Sequence, residues 1–318
     1  MKLETLQNSS EKILKCEIKD DTGLNDYQKL PNQTIIPIDE VGIENFRIPL
    51  SFKHEDGVVM NHDCKASMFI YLDEGKTGAN MSRFCKILQE EAETKFVSSK
   101  FIENTLTRYR KELRDFQDEE LIPEAKLELH LSYPVKQKSL KSNNWGWQYY
   151  DIKLSGVQTC DASRLEMTIK YEYSSTCPCS LSMAKQYEKD FSEGKTSEGS
   201  GIATAHSQRS VATITVTVDL TSDFKIIDLI NHARNALPTE TQSLVKRIDE
   251  QAFAILNGDN PMFVEHATRR ISIVLDQDKR IINWKAKVQH LESLHSHDAV
   301  ATIKKRISLD NSKKSLIN

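Results

Sequence analysis

The sequence predicts an α+β protein in which a strand–strand–helix–helix–strand–strand order occurs twice. Three observations predict it. Residues 126–135 and 164–173 alternate apolar and polar side chains with the period of a half-buried strand. Leu127, Leu129 and Leu131 mark the first, and Leu165, Met167, Ile169, Tyr171 and Tyr173 the second. Phe84, Ile87 and Leu88 recur at helical spacing. The chain of 318 residues, 38% hydrophobic and 28% charged, is long enough for two such modules and has the balance of a soluble globular protein.

Residues 1–33 are polar and lack sustained periodicity, so they are expected to form a poorly ordered arm. From 34 onward short apolar runs broken by Pro37, Gly42 and Pro49 predict an edge strand. A second strand is expected at 65–73, a helix from Met81, and a charged helix at 101–116. The strand at 126–135 pairs through a polar link (137–147) with a strand at 148–157. These elements make a first module of 34–158. In a second module of 159–309, strands at 164–173 and 210–220 precede helices at 224–235, 239–256 and 261–276, and strands at 281–291 and 300–309 close it. Between its first two strands, residues 184–201 (rich in Lys, Glu, Gly and Ser) are expected to be a solvated inserted loop, and 310–318 a fraying tail.

A net charge of −3 supplies no global basic field, so neither nucleic acid nor an anionic membrane is expected as a partner. No apolar run approaches the length of a membrane span, and the first residues lack the apolar core of an export signal. Six cysteines in a chain of this size then read as reduced thiols, and the expected compartment is the cytoplasm. Phosphate-cradling glycine loops and a nucleophile elbow are absent from the sequence.

Five stretches could carry chemistry. Cys177-Pro178-Cys179 ends the strand at 164–173. A thiolate there needs its pKa lowered to act as ligand or nucleophile, and a divalent metal supplies that lowering. Two buried thiols beside a turn explain the spacing equally well. His206-Ser207-Gln208-Arg209-Ser210 puts an imidazole next to an arginine at a strand start, which suits a metal ligand beside an anion or a simple turn cap. Lys246-Arg247-Ile248-Asp249-Glu250 has the composition of a solvated helical face. Glu265, after Asn260-Pro261, lies where a helix dipole favours an acid without any functional demand. Glu292-Ser293-Leu294-His295-Ser296-His297-Asp298 concentrates four ionisable groups in one loop, a density harder to explain by solvation alone.

Taken in order, these stretches resemble GTP cyclohydrolase I of type B. Ile38-Asp39-Glu40-Val41-Gly42 and Met81-Ser82-Arg83-Phe84 belong to the same pattern, and the resemblance runs over roughly residues 35–305. It departs from the family pattern at Asn80, where relatives usually carry His, and in the longer 184–201 link.

The resemblance implies the tunnelling fold (T-fold): two ββααββ-type modules with antiparallel sheets and helices on one face. It further implies a homo-oligomer, expected as a tetramer, with active sites at subunit interfaces. The implied reaction opens the guanine imidazole ring of GTP to give 7,8-dihydroneopterin triphosphate and formate, the first step of tetrahydrofolate synthesis. It also implies a divalent metal (zinc, manganese or iron) held by Cys177, His206 and Glu250, activating the water that attacks C8. By the same resemblance Glu265 anchors the guanine edge, and Arg209, Lys246, Arg247, Ser82 and a neighbouring subunit's Arg83 serve the substrate and its triphosphate. Cys179 and His295 move protons, oriented by Glu292 and His297. Two alternatives share the fold: an archaeal-type enzyme giving a cyclic phosphate, and an NADPH-dependent nitrile reductase, which a covalent thioimide at Cys177 or Cys179 would mark. A non-catalytic purine-binding module is the third reading.

Overall fold

The computed structural model describes residues 18–19, 22–25, 36–74, 76–114 and 121–306. Most of the expected N-terminal arm and all of the expected tail lie outside them. The element order is β1 (Ile38–Lys53), β2 (Val59–Leu72), α1 (Met81–Thr94), α2 (Ser99–Glu112), β3 (Ala125–Lys138), β4 (Trp145–Gln158) and β5 (Ser163–Thr176). It continues with α3 (Pro178–Ser192), β6 (Ser207–Asp219), α4 (Ile226–Ala236), α5 (Arg247–Asp259), α6 (Val264–Gln277), β7 (Ile281–His290) and β8 (Ala299–Lys304). Strands β1 to β8 are hydrogen-bonded in sequence order, and the registers of β1–β2, β5–β6, β6–β7 and β7–β8 are antiparallel. The α+β class and the strand–strand–helix–helix–strand–strand order of the first half are as expected.

One compact unit comprises Met1–Leu129 and Ser155–Ser163. In it Gly42 sits between two register shifts of β1, where a Cβ would lie 1.8 Å from the Met68 carbonyl oxygen, so no side chain fits. Helices α1 and α2 bury Phe84, Ile87 and Leu88 and Phe101, Ile102, Leu106 and Tyr109. Ser98 caps α2 by accepting from the Phe101 N–H. Each such fully buried apolar side chain contributes roughly 1.5–3 kcal/mol.

The other unit comprises His130–Leu154 and Arg164–Asn318. Residues 130–154, placed by the sequence reading in the 34–158 module, thus pack with it. Tyr150 and Gln137 explain why: both hydrogen-bond the buried Glu240 carboxylate, which Arg234 also reaches at 3.0 Å. The predicted strand pattern is realised side chain by side chain. Leu165, Met167, Ile169, Tyr171 and Tyr173 are all buried on β5, and Ala212, Ile214, Val216 and Val218 on β6.

Two expectations for this unit are corrected. The inserted loop at 184–201 is instead helical through Ser192, because Pro178 at the first helical position and a run of Lys, Gln, Tyr and Glu favour α3. The helix ends at Gly194, whose φ of +71° suits glycine. The helix expected over 239–256 starts only at Arg247. Residues 239–241 extend and pair with β5 instead, through Ser174 N–H to Thr239 O (2.8 Å) and Thr241 N–H to Glu172 O (3.2 Å).

Candidate active site

The site is built where β5, β6 and β7 end together. Cys177 follows the last residue of β5 and is the N-cap of α3, so one residue closes a strand and opens a helix. Its N–H donates to the His206 carbonyl (3.2 Å), and the Ser180 hydroxyl, one helical turn on, accepts from the His206 N–H (3.1 Å). The residue that follows β5 and the residue that precedes β6 are thereby tied together. Pairing of β6 with β7 stops at Ser210 and His290, and the Leu291 N–H then bonds the Arg209 carbonyl (3.2 Å). That turn carries Glu292 back toward His206: its carboxylate lies 3.7 Å from Nδ1, with the two side chains only 17% and 13% exposed.

Beneath this trio lies a row of polar side chains on the core face. Gln208 Oε1 is 3.0 Å from His206 Nδ1, while Gln208 Nε2 donates to Ser175 Oγ (2.9 Å) and points at Glu292 Oε1 (3.5 Å). Ser175 and Ser210, both wholly buried, share a hydroxyl hydrogen bond of 2.8 Å. One row deeper, buried Tyr173 and His290 meet at 2.8 Å. Burial pushes the His290 imidazole down to about 4, and the nearby Glu265 carboxylate offsets this only in part. Gln208, Ser175, Tyr173 and His290 were given no functional role from the sequence. A histidine in phase with Trp284, Ala286 and Val288 on the apolar face of β7 was the available signal.

The remaining predicted residues are more dispersed. Cys179 is exposed in the first turn of α3, and Glu265 is exposed in the first turn of α6. His295 and His297 stack at 5.0 Å in the exposed β7–β8 loop. Arg209 is 65% exposed and 3.7 Å from Glu172. Lys246 is the N-cap of α5, and Arg247 and Glu250 are exposed in its first turn. Asp249 between them is buried and accepts from the N–H groups of Lys141 (2.7 Å), Ser142 (2.9 Å) and Lys246 (2.8 Å). Burial raises the pKa of such a carboxylate, but these donors outweigh it and hold Asp249 well below the usual range. In the other unit, Ser82 Oγ donates to Asn80 Oδ1 (2.8 Å). Arg83 reaches the Glu112 carbonyl and lines an open cavity of about 530 Å³ with Lys86, Arg108 and Lys111.

Among the described residues no three His, Cys, Asp or Glu side chains converge as a metal site, so Cys177, His206 and Glu250 are not gathered into one cluster. Cys177 and His206 are adjoined, and Glu250 stands outside. A carboxylate and a thiol have no mutual attraction that would draw them together without a cation, and Glu250 is better solvated where it is. The donor chemistry of the pair fits a metal: a half-exposed thiol on a residue tied by its backbone to His206, and an imidazole whose Nδ1 lies 3.0 Å from an amide oxygen.

A thiol, an imidazole, a carboxylate and an amide grouped at the ends of paired strands make the polar centre of an α+β enzyme. The chain belongs to the family described as type I GTP cyclohydrolase folE2, which matches residues 24–301. It is 40% identical over 285 residues to the GTP cyclohydrolase FolE2 of Cereibacter sphaeroides, covering 88% of this chain and 75% of that one. It is 41% identical over 288 residues to that of Ruegeria pomeroyi, covering 88% and 74%. Among solved structures, the uricase of Arthrobacter globiformis aligns with a TM-score of 0.48 at 8% identity, over 85% of this chain and 94% of that one. No helix among the described residues is long and apolar enough to cross a membrane.

Proposed function

We propose that this chain hydrolytically opens the guanine imidazole ring of GTP, releasing C8 as formate and yielding 7,8-dihydroneopterin triphosphate for tetrahydrofolate synthesis. Cys177, His206 and Glu250 would hold a divalent metal, which would supply Lewis acidity toward a water. Glu265, exposed at its helix start, accepts hydrogen bonds from the N–H donors of the guanine edge and so rejects bases that lack them. Arg209, Lys246 and Arg247 offer exposed cations to the triphosphate, joined by Arg83 of a neighbouring subunit and its neighbour Ser82. Cys179 and His295 hold and release protons as the ring opens. His297 stacks on His295, and Glu292 orients the imidazole of His206.

The observation that supports this reading most is the backbone bond between Cys177 and His206, with Glu292 behind the imidazole. A homo-oligomer, expected as a tetramer, is supported by exposed apolar groups: Met183, Ile248 and Ile255 on α3 and α5, and Trp145, Trp147 and Tyr149 on β4. Its cytoplasmic setting is supported by Cys64, Cys85, Cys160, Cys177 and Cys179, all free thiols.

The test strips the protein of metal, restores zinc, manganese or iron, and follows pterin fluorescence after oxidation together with formate. Both products are expected with metal, and both are expected to fall at least ~100-fold in Cys177→Ala. A pterin bearing a cyclic phosphate would move the assignment to the archaeal-type reaction. Tight GTP binding with no formate under any metal would sink the hydrolase reading.

A further inference from the structure

We infer that Gln208 is a positioning residue that locks His206 in the tautomer needed for ligation, and that Glu292 and Ser175 determine which way its amide points. The inference rests on the reading of His206 as a metal ligand.

An amide can be turned end for end without changing its shape, so its orientation must be argued from its partners. Here the partners leave one choice. Glu292 Oε1, at 3.5 Å, is acceptor-only when ionised and demands the NH₂ end. Ser175 Oγ accepts the other amide proton at 2.9 Å and can do so while sharing a hydroxyl hydrogen bond with Ser210. The carbonyl end then faces His206 Nδ1 at 3.0 Å and can only accept. Nδ1 must therefore carry the proton, which leaves the lone pair on Nε2. Turning the amide over would set its carbonyl against the Glu292 carboxylate, two acceptors with no proton between them. Gln208 is 7% exposed, so water cannot substitute for these bonds at little cost. Glu292 acts at two points, through the amide and directly at 3.7 Å from Nδ1, and both favour a proton on that nitrogen.

The experiment uses the full chain labelled with ¹³C and ¹⁵N at histidine. Long-range ¹H–¹⁵N spectra of the metal-free protein read the His206 tautomer, assigned by its loss in His206→Ala. Zinc affinity is read separately by competition with a chromophoric chelator. The wild type is expected as the Nδ1–H form. Gln208→Met, similar in size without an acceptor, is expected to populate Nε2–H and weaken zinc binding ~10–100-fold. Ser175→Ala, which frees only one amide bond, is expected to shift both readouts less. The Q208E/E292Q double variant keeps one carboxylate and one amide with the roles exchanged, and is expected to recover the Nδ1–H form and most of the affinity. Unchanged tautomer and affinity in Gln208→Met overturn the inference. A shifted tautomer with unchanged zinc affinity, or zinc binding that survives His206→Ala, overturns the ligand reading on which it rests.

Discussion

Helices α1 and α2 and helices α3 and α5 are of similar length and are held in place by different physics. The first pair turns apolar stripes inward: Phe84, Ile87, Leu88, Phe101, Ile102, Leu106 and Tyr109 are all buried. In the second pair α3 buries Ala184 alone and α5 buries Asp249 alone. Those helices are fastened at their first turns by polar bonds, the Cys177–Ser180 clasp on His206 in one and the Asp249 clasp on Lys141, Ser142 and Lys246 in the other. The same first turns carry Cys177 and Glu250. A helix pinned at one end by hydrogen bonds keeps its first-turn residues in place and leaves Met183, Ile248 and Ile255 exposed on its outer face.

The widest gap between the two pairs should appear on truncation. Leu106→Ala, at a site with no exposure, is expected to cost ~2–5 kcal/mol in urea unfolding. Ile255→Ala, at a site 59% exposed, is expected to stay within ~0.5 kcal/mol at low protein concentration while shifting sedimentation toward smaller species. Equal losses at both positions would erase the distinction.

A second contrast concerns what lies under the helices. Beneath the site the core is polar, and His290 is kept neutral with a pKa of about 4 against an ordinary 6.5. Between those values the unfolded chain holds a proton that the folded chain does not, so stability rises with pH across the interval and is lost as pH falls from 6.5 toward 4. The effect is about 3 kcal/mol. Urea titrations at pH 7 and 4.5 should show a smaller acid loss in His290→Gln than in the wild type, and parallel losses would refute the assignment. The smallest effect separates neighbours within one turn. Asp249→Asn is expected to lower the melting temperature by ~2–4 °C. Glu250→Gln is expected to leave it unchanged while weakening zinc binding.

The strands and the inward helices were legible because their patterns are local. Leu165 to Tyr173 alternate, and Phe84, Ile87 and Leu88 repeat at helical spacing, whatever the rest of the chain does. The segment 184–201 misled because a charged, apolar-poor stretch reads as loop, although its residues are good helix formers once Pro178 has started the turn. Residues 239–241 misled for the opposite reason: a place in the expected helix lost to strand pairing with β5, which only the folded chain offers. Cys177 and His206 were visible as motifs, whereas Glu250 was named with them and is not drawn to them in the folded chain.

Sequence by itself determined the α+β class, the element order of the first half and the chemical inventory, since each follows from the spacing of residues within one segment. Tertiary structure decided which of those groups meet. Gln208 touches Ser175 and Glu292 across 33 and 84 residues of chain. Nothing in a single segment encodes such a meeting. It exists only after β5, β6 and β7 pair in register and bury the amide, where every donor must find an acceptor.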